Sequence, residues 1–121
     1  MAVIGLVAHD LKKPEMVDCV TANLDRIRAH RLFATGTTGG EVITATGLEI
    51  QLLKSGPLGG DAQLGAMIVT GELDACIFFI DPLTAQPHDV DVKALTRLAT
   101  LYDVPFACNK ATADAVIRHM E

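Results

Sequence analysis

Two loops in this sequence hold the residue types that move protons. The first, Ser55-Gly-Pro-Leu-Gly-Gly-Asp61, brings the backbone close to a small ligand through its glycines and ends on a carboxylate. The second, Asp81-Pro-Leu-Thr-Ala-Gln-Pro-His88-Asp89-Val-Asp91, sets an imidazole among further carboxylates. A third segment, Thr35-Gly36-Thr37-Thr38-Gly39, offers hydroxyl groups and helix-start N–H groups suited to a phosphate. Lys13 could add a cation, and Ser55-Gly56 further donors. A carboxylate and an imidazole beside such an anion cradle point to proton transfer on a small phosphorylated molecule. The third segment matches neither the Walker pattern nor GxGxxG, so a nucleotide is not specifically indicated.

Each feature also has a plainer reading. Thr37 or Thr38 could simply cap a helix. Asp61 could do no more than favour the positive end of a helix dipole, an effect of about 0.3–1 kcal/mol. A lone histidine such as His88 in a proline-rich loop is more often a surface residue. Asp89 reads as a helix cap. Asp91 either favours the same helix end or accepts an N–H from His88 and selects its tautomer. His9-Asp10 and Asp81 are weaker candidates for shaping the same crevice, and His30 and His119 fall on polar faces. No set of these residues has metal-ligand spacing, and the glycine-rich surroundings fit an organic phosphate better than a metal.

The chain has 121 residues, half of them hydrophobic and only 4% aromatic, so Val, Ile, Leu and Ala must build a single core. Its formal charge of −5, with no basic tract, argues against nucleic-acid and anionic-membrane partners. No apolar run approaches the roughly 20 residues that span a bilayer, and the start lacks a secretory leader's basic flank. Cys19, Cys76 and Cys108 are odd in number and lack CxxC spacing, which fits reduced thiols in a cytoplasmic protein.

The elements that must position these loops can be read from periodicity. Ala2–Ala8, Leu32–Thr35, Glu49–Leu53, Leu73–Ile80 and Val104–Cys108 read as strands. Met16, Val20, Leu24 and Ile27 recur at helical spacing after Pro14, a helix runs from the threonine segment to Gly47, and Ala62–Thr70 is a small-residue helix. Val92, Leu95, Ala99 and Tyr102 line another helix, and Ala113, Val116, Ile117 and Met120 a terminal one. Strands alternate with helices, and Cys-Ile-Phe-Phe-Ile shows no polar alternation. The expected fold is therefore a single-domain, doubly wound three-layer α/β/α sandwich over residues 1–121, with a mainly parallel five-stranded sheet. All the polar loops then follow the C-terminal ends of strands, the edge where open α/β sheets bind ligands.

Taken together, Val7-Ala-His-Asp with Lys13, Ala34-Thr-Gly-Thr-Thr-Gly39, Ser55–Asp61, Phe79-Ile-Asp-Pro-Leu and Pro87-His-Asp-Val-Asp-Val-Lys-Ala-Leu95 closely resemble the methylglyoxal synthase family. They span almost the whole chain in the family's order and spacing. The resemblance implies conversion of dihydroxyacetone phosphate to methylglyoxal and inorganic phosphate by a homohexamer without metal or organic cofactor. Inorganic phosphate is expected to inhibit, because it would occupy the Thr35–Thr38 pocket. Asp61 matches the family's catalytic base. His9, Lys13, Thr35, Gly36, Thr37, Thr38, Ser55, Gly56 and His88 match substrate-contacting positions, and Asp10 and Asp91 match acidic residues of the site. Many members carry a further C-terminal arginine near a neighbouring subunit's phosphate site, a role the resemblance does not give to Arg118. The same fold type resembles the allosteric domain of carbamoyl phosphate synthetase, which would make the chain a ligand sensor. Asp61 together with His88 and Asp91 argues against that alternative. A triose phosphate isomerase-like outcome is the third possibility.

Overall fold

The computed structural model describes residues 1–84 and 89–121. The chain order is β1 (Val3–Ala8), α1 (Lys13–Ala22), α2 (Leu24–Ile27), β2 (Arg31–Ala34), α3 (Gly36–Thr46), β3 (Gln51–Leu52), α4 (Gly60–Val69), β4 (Ala75–Phe79), α5 (Asp89–Leu101), β5 (Phe106–Ala107) and α6 (Lys110–His119). Short 3-10 turns cover Asp10–Lys12 and Gly56–Leu58.

The five strands form one parallel sheet in the order β3-β2-β1-β4-β5. The chain builds outward from β1 to β3, then returns to β1's other side to build β4 and β5. The loops leaving β1 and β4 therefore diverge at a topological switch point, as the alternating sequence pattern anticipates.

Strand periodicity sorts the apolar side chains into two cores. Ile4, Leu6 and Ala8 of β1 join Ala75, Ile77 and Phe79 of β4 under α1, α3 and α6, with Met16, Val42 and Ile117. Val7, Cys76 and Phe78 point the other way, toward Leu64, Ile68, Val92 and Leu95 of α4 and α5. All five residues of β4 are buried, so the continuous apolar run reads as a strand covered on both faces.

Three boundaries differ from the periodic reading. The helix expected through Met16, Val20, Leu24 and Ile27 breaks at Asn23. The Asn23 side chain donates to Cys19 O at 2.9 Å and to Asp114 Oδ1 on α6 at 2.8 Å, a local bond that competes with continuing the helix. The outer strands are shorter than Glu49–Leu53 and Val104–Cys108, because each has a partner on one side only; Pro105 accepts from Cys76 N but has no N–H to donate. Helix α5 begins at Asp89, so that residue is its first turn. No helix among the described residues is long and apolar enough to cross a membrane.

Asn23 is buried and joins two helices, so Asn23→Ala should cost about 1–3 kcal/mol through the polar groups it leaves behind. Combining it with Asp114→Ala should cost less than the sum of the two single changes in urea unfolding. Additive costs would show that the bond between them contributes nothing.

Candidate active site

The end of β1 and the start of α3 are tied together by one hydroxyl. Thr38 Oγ1 accepts from Ala8 N at 3.2 Å, donates to Ala8 O at 3.3 Å and lies 3.2 Å from Thr35 Oγ1. Its single proton is committed to the protein, so Thr38 can meet an anion through its main-chain N–H. The expected capping by Thr37 or Thr38 is not what the structure shows. Thr35 occupies the cap position in extended conformation and makes no side-chain cap bond, while Thr37 and Thr38 lie inside the first turn. Of the first-turn amides, Gly36 N–H donates to Lys54 O at 3.4 Å, while those of Thr37 and Thr38 have no intrahelical acceptor, the arrangement that suits an anion. Thr37 is exposed beside Val17, Gly40 and Glu41.

The glycine loop packs on this start. A methyl group at Gly36 would come within 3.3 Å of Ser55 Oγ, which places Ser55 and Gly56 alongside the threonine segment. Gly59, at φ +109°, turns the chain into α4. A Cβ on Gly60 would lie 2.0 Å from Lys54 O and 2.8 Å from Thr35 Cγ2. The loop's glycines suggest close approach to a ligand, but at Gly60 the room is filled by the protein's own backbone and the Thr35 methyl. Asp61, next in sequence and 2% exposed, lies in the first turn of α4.

On β4, the buried Cys76 thiol is pushed up by burial first and by the Asp61 charge second. Cys19 is raised to about 11, chiefly by burial. Both thiols are therefore protonated at neutral pH, and neither has the low-pKa environment of a nucleophile.

His9 is buried; its Nδ1 accepts from Asp81 N at 2.9 Å, and its ring meets Phe78 edge-on with centroids 5.3 Å apart at 79°. The Asp81 carboxyl accepts from the Thr84 hydroxyl and from Leu83 N at 3.1 Å, and these bonds hold it below its ordinary range. Lys13 is buried and its Nζ donates to Asp10 Oδ1, while the Asp10 side chain lies at the surface. Asp91 is exposed in the first turn of α5. His88, expected to pair with it, lies outside the described residues.

His9, Lys13, Thr35, Thr38, Gly36, Ser55, Gly56 and Asp61 are thus gathered at the C-terminal sheet edge. Sequence reading missed Phe78, taken only as core, and saw Asp81 as a carboxylate rather than as a main-chain donor. The alternation of β4 was the one available signal for Phe78, since it places that residue on the same face as Cys76 and Val7. Among the described residues no three His, Cys, Asp or Glu side chains cluster as a metal site would require.

The polar loops thus lie along one edge of a doubly wound sheet, and comparison with known proteins identifies the family. Residues 15–108 match the family model described as MGS-like domain. The chain is 62% identical over 115 residues to a methylglyoxal synthase of Agrobacterium fabrum, covering 94% of this chain and 91% of that one. It is 52% identical over 118 residues to the methylglyoxal synthase of Bacillus subtilis, covering 98% and 86%. The crystal structure of methylglyoxal synthase from Elizabethkingia anophelis superposes with a TM-score of 0.91 at 48% identity, covering 96% of this chain and 76% of that one. The chain belongs to the methylglyoxal synthase family.

The contact at Gly60 gives a direct test of how the loops are held. Gly60→Ala should destabilise by about 1–3 kcal/mol, because rigid backbone must move to admit the methyl. Gly40→Ala, on α3 with nothing within 4 Å of its Cβ position, should instead stabilise by about 1 kcal/mol. Thermal unfolding of the two variants beside the parent checks both signs.

Proposed function

We infer that the protein is a phosphate-eliminating carbon–oxygen lyase that converts dihydroxyacetone phosphate to methylglyoxal and inorganic phosphate, as one domain over residues 1–121. The observation that carries the mechanism is the buried Asp61 carboxylate in the first turn of α4, directly after the Gly60 backbone that packs on Thr35.

In this reading the phosphate sits at the start of α3 beside Gly36, held by main-chain N–H groups of Thr37 and Thr38, by Thr35, by Ser55-Gly56 and by the Lys13 cation. Asp61 removes a proton from the carbon that bears the substrate's hydroxyl, next to the carbonyl. His9 and His88 donate hydrogen bonds where negative charge develops on the enediolate, with Asp91 orienting His88 and Asp10 holding Lys13. Donors fixed in a water-poor site stabilise that charge without having to reorganise.

The fate of the enediolate depends on a torsion angle. When the bridging C–O bond stands perpendicular to the enediolate plane, its π electrons flow into that bond and phosphate leaves. When the bond lies in the plane, the intermediate survives to be reprotonated and the result is an isomerisation. The anion grip therefore sets the product as well as the affinity. The released enol ketonises to methylglyoxal, and free phosphate inhibits by occupying the same cradle. No organic cofactor or metal enters this scheme.

Cytoplasmic location and homohexameric assembly belong to the same proposal. Exposed Leu11, Leu58 and Leu83 on the sheet-edge loops are apolar surface that association would cover. Light scattering should give six times the chain mass of 12.9 kDa; a monomer would remove the assembly from the proposal.

With dihydroxyacetone phosphate, the purified protein should release methylglyoxal and phosphate in equal amounts. Asp61→Asn should lower turnover by about 10²–10⁴-fold while phosphate still raises its melting temperature. Near-normal turnover in that variant would take Asp61 out of the base's role, and phosphate release without methylglyoxal would exclude the reaction.

A further inference from the structure

We propose that Asp81 is a positioning residue for His9: its main-chain N–H fixes the imidazole with the proton on Nε2, and its carboxylate fastens the turn that holds this N–H in place. A main-chain N–H only donates, so the nitrogen it meets, Nδ1 at 2.9 Å, is an acceptor. The neutral ring then carries its proton on Nε2. Protonating Nδ1 as well would set two donors against each other, so the ring works as a neutral hydrogen-bond donor and not as an imidazolium. Phe78 adds a second constraint. Its fully buried ring abuts the imidazole edge-on, so the imidazole cannot turn over without displacing packed core.

The Asp81 carboxylate is engaged within its own turn, by Leu83 N at 3.1 Å and the Thr84 hydroxyl. An aspartate that bonds the main chain two residues onward is a turn-forming device. What Asp81 presents to His9 is therefore main chain, aimed by a side chain that points elsewhere. The arrangement also uses the switch point itself, because Ala8 and Phe79 are register partners and the residues leaving them meet at once. For its kinetic part, this inference rests on the lyase reading. A neutral Nε2–H donor suits a carbonyl oxygen that gains negative charge during proton removal.

The test compares the parent, Asp81→Ala and Asp81→Asn by long-range ¹⁵N–¹H correlation of the histidine rings and by steady-state kinetics. The parent should show His9 as a single tautomer protonated at Nε2. Asp81→Asn keeps an oxygen that accepts the Leu83 N–H, so it should show the same tautomer and keep most of its turnover. Asp81→Ala should show two tautomers in exchange and lose roughly ten- to a hundredfold in kcat with KM little changed. If Asp81→Ala does not fold, Asp81→Asn decides. A parent His9 protonated at Nδ1 would overturn the proposal. So would an asparagine variant that loses as much turnover as the alanine one, since the carboxylate would then be a reacting group. Should the parent fail to turn over dihydroxyacetone phosphate, the lyase reading falls, and the tautomer comparison alone still decides the role of Asp81.

Discussion

Parallel pairing of β1 with β4, in the register that sets Ala8 opposite Phe79, is the constraint on which the site depends. β1 is the central strand and β4 the most completely buried one, so their pairing is set by two packed cores and not by the loops. A slip of one residue would turn Phe78 and Cys76 into the opposite core and send every side chain of β4 to the wrong face. It would also part His9 from the amide of Asp81. The hydrophobic pattern of ten residues thus fixes the geometry of a polar contact that none of them makes.

The second half of the site is fastened to this frame through side chains that are small for a reason. Thr38 reaches back to both main-chain groups of Ala8, which anchors the start of α3 to β1. Gly60 lets Lys54 and the Thr35 methyl close on the start of α4. Two helix N-termini are thereby brought to one place, and both direct partial positive charge toward it. The chain as a whole is negative, so the proposed phosphate would depend on this local concentration of N–H groups and on the buried Lys13.

Much of this was legible in the sequence because it rests on periodicity and on residue types with few alternatives. The strand expected within Leu73–Ile80 and found at Ala75–Phe79, the helix that stops at Gly47 and the alternation of elements follow from burial, which leaves a direct trace in the apolar pattern. The polar loops could be assigned to one edge for the same reason. The break at Asn23 was not legible, since it depends on Asp114, 91 residues away and on another helix. Nor was the role of Gly60, because glycine reads the same when it admits a ligand as when it admits another loop. The Asp81–His9 contact was hidden for a further reason: its donor is main chain, and any residue type supplies one.

These attachments bear on the choice between elimination and isomerisation. That choice requires the anion cradle and the base to be held at a fixed mutual angle, because rotation of the phosphate bond relative to the proton being removed changes the product. In this fold the cradle lies at the start of α3 and the proposed base at the start of α4, on helices that pack against opposite faces of the sheet. Such helices could shift independently if joined only through loops. The Thr35–Gly60 contact and the anchoring of Thr38 to β1 remove that freedom with groups that have almost none of their own: a glycine backbone, a methyl and a β-branched hydroxyl. Orientation of this kind is worth as much to a rate as a reacting group, and here it would also determine which reaction is run.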